Sequence, residues 1–243
     1  MKFILNTPNS PGTQFNEHTE QCIVKLYEYL GNKGLNWSMA YGSFIKQVDF
    51  TTSSYMRNIC PFLKNADMLN DYTTVSRKMF TGFGRVYYHV IHALNVSKQE
   101  VAAPANATQR LDDLKKNIVR CAIANIVMKK NVPYGLIFKL TLEHLDLWSR
   151  INEKEFALIV YLAAGGVTKE QYEDVMTNDR NNIDFSVAVK EKGSPSIKYE
   201  RKLTCYSYFI GSLRTAGVIG ESNTNGFCER ICDPSTLRRM YHV

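Results

Sequence analysis

No apolar run in this sequence approaches the roughly 20 residues that a helix needs to cross a bilayer. The nearest, FALIVYLAAGGV from Phe156 to Val167, has the length of a core helix, so no membrane partner is expected. The opening MKFILNTPNSPG has no hydrophobic stretch of the secretory kind. The six cysteines, Cys22, Cys60, Cys121, Cys205, Cys228 and Cys232, include no CxxC pair, which leaves a cytoplasmic protein with free thiols as the expectation. Proline is scarce, with 7 residues against 14 glycines in 243, and this excludes a collagenous or proline-rich disordered chain. What is there instead is a globular balance, 44% hydrophobic and 22% charged, enough for a sizeable core in one or two domains.

Acidic groups are the minority, 23 against 30 basic, and the net charge is +7. The excess is uneven. Residues 1–95 carry 9 basic and 6 acidic groups, and 96–130 carry 7 and 3. The sign then reverses over 131–180, with 5 and 8, and returns over 181–243, with 9 and 6. Two basic regions and a basic connection around an acidic segment suit a protein that holds one long anion. A solvated mixed surface gives the same balance.

The stretch NVSKQEVAAPANATQR is short of large apolar residues and holds Pro104, whereas Leu111, Leu114, Ile118 and Cys121 restore helical spacing. The reading is a first lobe over 1–95, a helical linker over 96–130 and a second lobe over 131–243. In the first lobe Cys22, Ile23, Leu26, Tyr27 and Leu30 mark a helix stopped by Gly31, and Trp37, Tyr41, Phe44, Ile45 and Val48 a second. Thr51 or Thr52 caps a third that Pro61 kinks or divides. Met68 to Tyr72 and Arg77 to Phe80 read as a two-strand wing, and Phe83 to Leu94 as a last helix.

The second lobe repeats that order. Tyr134 to Leu147 and Glu153 to Ala163 read as helices, Gly165-Gly166 as a turn, and KEQYEDVMTN as a helix capped by Thr168. A polar loop comes next. Tyr199, Leu203, Tyr206, Phe209, Ile210 and Leu213 then place a helical stripe over Lys198 to Ala216, ended by Gly217. Val218-Ile219-Gly220 and Phe227 to Cys232 form a strand pair around ESNTNG, closed by Asp233-Pro234. The expected fold is mainly α with small β wings, two winged-helix-type lobes joined by a helical linker.

The order helix, helix, basic helix ending in LRTAGVIG, then NTNGFCERICDPSTLRR, resembles the second winged helix of FokI-like and AlwI-like type IIS restriction endonucleases and their nicking relatives. TTSSYMRNICPFLKNADMLND followed by MFTGFGRVYYHV is similar to their first recognition subdomain, and PYGLIFKLTLEHLDLWSRINEKEFALIVYLAAGGVTKEQY to the opening of the second. The resemblance implies the DNA-recognition half of such an enzyme. The nuclease domain or subunit that uses Mg²⁺ would follow residue 243 or be separate, with no cofactor on this chain.

A helix fits the major groove and a wing grips the neighbouring phosphates. On this reading the first recognition helix presents Thr52, Ser53, Ser54, Arg57 and Asn58, the second Lys198, Arg201, Lys202 and Ser207. The wings contribute Arg77 and Lys78, then Asn223 and Asn225, and Lys115 and Lys116 of the linker border the duplex. Ser and Thr before a helix serve equally as caps, and scattered cations as a soluble surface. A tandem winged-helix transcriptional regulator or replication initiator, or a protein-interaction module, are the alternatives.

Asp184 followed by Glu200-Arg201-Lys202 matches on paper the Asp and E-x-K of a Mg²⁺-dependent nuclease. Such an E-x-K belongs on a core strand, and Glu200 here opens a segment read as helix, so no cleavage by this chain alone is expected. Cys228 and Cys232 with His242 lack a second ligand pair for zinc. Cys22 and Cys60 near His18 lack the elbow of a thiol nucleophile, and His89 and His92 lack a carboxylate partner.

Overall fold

The computed structural model describes residues 1–31, 33–47, 53–70, 74, 76–99, 105–190, 193 and 196–242. Helix dominates, and the described strands form two small three-stranded sheets. The chain folds as two compact units, one of Pro11–Lys129 and one that joins Met1–Ser10 to Lys130–Val243. The first strand, β1 (Lys2–Asn6), thus belongs with the second half of the chain.

In the Pro11–Lys129 unit, α1 (Glu17–Leu30) begins where the Asn16 side chain accepts the Thr19 amide at 2.9 Å, and Gly31 ends it at φ 44. Its apolar stripe Cys22, Ile23, Leu26, Tyr27 and Leu30 is buried. Next come α2 (Trp37–Gln47) and α3 (Ser53–Asn65). Pro61 does not divide α3. Proline removes a single backbone donor, and the flanking Ile59, Cys60, Phe62 and Leu63 are all buried in the core, which holds the helix together across it.

The first-lobe wing takes another form. Leu69 and Phe80 make a single antiparallel bridge, and Ser76–Met79 is a short 3₁₀ turn that carries Arg77 and Lys78. Asp71, Tyr72, Thr73 and Val75 lie outside the described residues. The next helix, α4 (Gly82–Gln99), is longer at both ends than its apolar stripe. The segment read as a linker carries α5 (Ala105–Met128), which packs against α4 and buries Ile118, Val119, Ala122 and Ile123.

In the other unit, α6 (Pro133–Trp148) starts on a proline and closes on Ser149 at φ 59. β2 (Arg150–Ile151) and α7 (Glu153–Ala163) come next; Asn152 and Glu155 form a reciprocal capping box. α8 (Lys169–Asn178) has the same device in Thr168 and Gln171.

Beyond α8 the chain departs twice from the expected order. The supposed loop holds β3 (Asp184–Lys190), and the supposed start of a helix at Lys198 is β4 (Ile197–Glu200); the helix α9 spans Tyr206–Thr215. The reason is non-local. β1 pairs parallel with β3, Phe3 opposite Phe185 and Leu5 opposite Val187, so the apolar alternation of β3 gains a partner from the far end of the chain. β4 then closes antiparallel on β3 with Glu200 opposite Val187.

After α9, β5 (Ile219–Ser222) and β6 (Cys228–Arg230) form the hairpin, and α10 (Pro234–Tyr241) is capped by Asp233. β6 pairs with both β2 and β5, giving the antiparallel order β2-β6-β5. The core beneath is aromatic, with Phe209 of α9 between Phe138 of α6 at 4.6 Å and Phe156 of α7 at 5.1 Å. α9 is seated on α6 and α7 by this wedge; Ser207 is its one exposed residue, and Tyr206, Tyr208, Gly211, Arg214 and Thr215 are half-buried.

Candidate nucleic-acid interface

α9 buries Phe209, Ile210, Ser212 and Leu213, and Ser207 is exposed in its first turn, with its hydroxyl donating to the Thr204 carbonyl at 3.0 Å. The hairpin leaves this helix immediately. At its turn the Asn223 side chain accepts the amides of Asn225 and Phe227, both at 3.0 Å, which holds the bend and leaves Asn225 exposed at its apex. Asn223 is thus a turn-former as well as a surface group. Beside the turn, the Arg150 guanidinium stacks over Phe227 at 4.4 Å.

Arg214 is committed to the hairpin's framework. Its guanidinium donates to the Gly220 carbonyl at 3.3 Å and the Ser222 hydroxyl at 2.8 Å, and it pairs with Glu221. Arg230 and Arg238 both reach Asp146 of α6, Arg238 at 2.9 Å, where the Tyr241 hydroxyl also donates at 2.8 Å. Arg214 and Arg230 are part-buried fasteners, Arg238 reaches Asp146 from an exposed position, and none is a candidate contact on the sequence alone. Their signal there is only a basic residue.

Lys198 pairs with Glu200 at 3.4 Å on β4, while Arg201 and Lys202 are exposed in the segment that leads to α9. The structure therefore separates these residues from the helix to which the sequence reading assigns them. Lys202 and Glu200 border a cavity of about 260 Å³ with Val187, Val189, Cys205 and Tyr208. Asp184 starts β3 beside Lys2, three register positions from Val187, the partner of Glu200. Glu200 does sit on a strand, contrary to the helical expectation, yet among the described residues no three His, Cys, Asp or Glu side chains converge to hold a metal ion.

In the other unit, Arg57 and Asn58 are exposed on α3; Ser53 and Ser54 begin that helix, and Thr52 lies outside the described residues. Arg77 stacks over Tyr27 at 4.7 Å and Lys78 is exposed beside it. Lys115 holds the buried Glu20 at 3.3 Å, and Lys116 holds Asp112 at 2.7 Å. Cys22 and Cys60 are buried, and burial pushes the Cys60 thiol far above its ordinary range, which suits an inert core cysteine.

The sequence reading missed a polar cluster between α6, α7 and α8. Glu155, 1% exposed, accepts Arg180 Nε at 2.5 Å and the Asn152 amide at 3.2 Å. His144 is fixed on both nitrogens, with Nδ1 at 2.5 Å from the Tyr172 hydroxyl and Nε2 at 2.8 Å from the Arg150 carbonyl. Burial acts to raise the Glu155 pKa, but the hydrogen bonds from His144 and Arg180 outweigh it and hold the carboxyl below its ordinary value. This cluster ties α6, α7 and α8 to one another and, through the Arg150 carbonyl, to β2.

No family model, no curated protein and no solved structure matches this chain.

Proposed function

We propose that the chain binds duplex DNA sequence-specifically, through α9 and the β5–β6 hairpin, as the recognition part of a type II restriction system. One observation carries the reading. With α8 and the β3–β4 arm set between α7 and α9, the chain runs α6, β2, α7, α9, β5 and β6 with the sheet order β2-β6-β5, and a helix held on an aromatic core is followed at once by an exposed hairpin. This supports a winged-helix reading, in which the helix before the hairpin would enter the major groove and the hairpin flank it. α8 and the β3–β4 arm are then an insertion before the recognition helix. Exposed Ser207, Asn223 and Asn225 are groups that read base edges or hold phosphates, and exposed Arg201 and Lys202 stand in the segment that leads into α9.

The restriction system enters through the resemblance of LRTAGVIG and the hairpin that comes after it. In that reading the Mg²⁺-dependent cut is made by a companion domain or subunit, and this chain determines where. Selection of bound duplexes from a random pool, followed by a nicking assay with Mg²⁺, tests it. A single enriched motif bound with a steep salt dependence is the expected result. The absence of any enriched motif, with affinity flat between low and physiological salt, would sink the proposal.

A further inference from the structure

A cavity of about 210 Å³ lies among α6, α7, α8 and α10, and no described residue of α9 or of the β5–β6 hairpin lines it. Its walls are apolar and aromatic, Leu140, Leu147 and Leu162 with Trp148, Tyr172 and Tyr241. The Trp148 ring stands nearly perpendicular to that of Tyr172, centroids 5.7 Å apart, and 5.1 Å from that of His144. Both tyrosine hydroxyls are engaged elsewhere, Tyr172 with His144 Nδ1 and Tyr241 with Asp146. What these two residues offer an occupant is ring surface, not hydrogen bonds. The volume suits a group of a few heavy atoms and is too small for a drug-sized ligand.

Charge decides which kind of group. Glu143, Asp146 and Glu173 line the cavity together with one ammonium, Lys169. Asp146 is already neutralised by Arg230 and Arg238. Glu143 has only Lys139, 3.9 Å away and exposed, which is the weak kind of surface pair. Glu173 is exposed on α8, and Lys169 is exposed one turn before it, next to the equally exposed Glu170. Two carboxylates are therefore left against one solvated ammonium. Both bear on Tyr172. Burial first, then Glu155, and with them Glu143 and Glu173, push the Tyr172 pKa far above its ordinary range, while Arg180 acts the other way. Three carboxylates against one guanidinium make the potential at that ring negative.

An aromatic wall in a negative field attracts a cation, and methyl groups on that cation meet the leucines. We infer that this cavity binds a compact quaternary ammonium group, with Trp148 as its principal ring and Glu143 and Glu173 as its counter-charges. A primary ammonium fits less well, since its N–H groups need acceptors that the engaged tyrosine hydroxyls do not supply. The ligand is separate from the DNA proposed at α9, and the inference does not depend on that reading.

The test titrates the full chain with choline, with its uncharged carbon isostere 3,3-dimethylbutan-1-ol and with ethanolamine, followed by calorimetry and by tryptophan fluorescence. Choline binds about tenfold more tightly than either analogue. Trp37→Phe removes the other tryptophan and keeps the fluorescence response, whereas Trp148→Leu weakens choline binding about tenfold. Glu143→Gln with Glu173→Gln, both at partly or fully exposed positions, leaves the melting temperature in place and weakens choline binding about threefold without affecting the isostere. Lys169→Gln strengthens it about twofold. If Trp148→Leu does not fold, the glutamine pair decides. Equal affinity for choline and the isostere overturns the inference and leaves a merely apolar pocket. Absence of any choline response in the folded wild type overturns it too, as does unchanged choline affinity in the glutamine pair. A peptide carrying trimethyllysine, run beside choline, distinguishes the source: tighter binding of the peptide supports the site with a protein side chain as occupant, and tighter binding of choline supports it with a free small molecule.

Discussion

Arg180 Nε lies 2.5 Å from Glu155 Oε1, so a cation just beyond α8 neutralises a carboxylate buried at the start of α7. The same Glu155 closes the capping box of its own helix through the Asn152 amide. One side chain thus fixes both the beginning of α7 and the approach of the chain just beyond α8.

Removing the cation strands the anion. Arg180→Ala is expected to cost about 3 kcal/mol, because an uncompensated buried charge is far more expensive than the net worth of the pair. Urea denaturation of Arg180→Ala, Glu155→Gln and the double variant measures it. The double variant should be less destabilised than the sum of the two single ones.

The same carboxylate makes stability pH-dependent. Its folded pKa is below the unfolded value, so its contribution is fully present above the ordinary glutamate range and is lost as pH falls through the lowered folded value. Midpoints of urea unfolding between pH 6 and pH 3, on the order of the glutamate titration range, should fall more steeply for wild type than for Glu155→Gln. Parallel curves would show that Glu155 does not contribute to the acid sensitivity.

Lys115 and Lys116 are neighbours with different work. Lys115 pairs with Glu20, which is buried and also accepts the Tyr87 hydroxyl at 3.1 Å, whereas Lys116 pairs with Asp112 on its own helix. Lys115→Met should cost about 2 kcal/mol by leaving Glu20 short of its cation. Lys116→Met should cost about 0.5 kcal/mol or less. Thermal unfolding of the two variants distinguishes them, and equal losses would show that the Glu20 pairing is not what Lys115 contributes.

Gly84 in the first turn of α4 has no room for a side chain. A Cβ there would lie 2.0 Å from the Met68 carbonyl oxygen, a backbone atom that cannot swing aside. Gly84→Ala is expected to destabilise the Pro11–Lys129 unit by about 3 kcal/mol. Gly82→Ala, which meets nothing within 4 Å, is the matched control and should leave the midpoint nearly unmoved.

Phe209 contacts both Phe138 and Phe156, so α9 depends on that wedge for its seat. Phe209→Ala is expected to cost about 4 kcal/mol through lost burial and the cavity it leaves. Phe209→Leu retains most of the volume and should keep sequence-specific binding at a lower melting temperature. If Phe209→Leu abolished specific binding while keeping the melting temperature, the ring would have a role in DNA contact rather than in support.

Local chemistry was enough to place most of the helices. Asn152 and Glu155, or Thr168 and Gln171, satisfy the free amides of a helix start within four residues, and the stripe from Cys22 to Leu30 repeats with the period of one turn. Such signals need no distant partner, and α7 and α8 begin and end where their residues say. Lys198 to Leu203 shows the opposite case. Tyr199 and Leu203 carry helical spacing, yet β3 offers β4 a ladder, and the other edge of β3 is paired by β1, whose partners lie 182 residues earlier, as Lys2 opposite Asp184. No window of sequence contains that partner. The candidate surface divides in the same way. Ser207, Asn223 and Asn225 were legible beside a basic helix and an Asn-Gly turn, but whether a cation faces solvent or an internal carboxylate depends on what packs against it. Arg201 and Lys202 are exposed, while Arg180, Arg230 and Lys115 are bound to Glu155, Asp146 and Glu20. Their residue types are the same in every sequence window; only the tertiary structure supplies the carboxylate, because a buried anion must be neutralised by whatever cation the fold brings within reach.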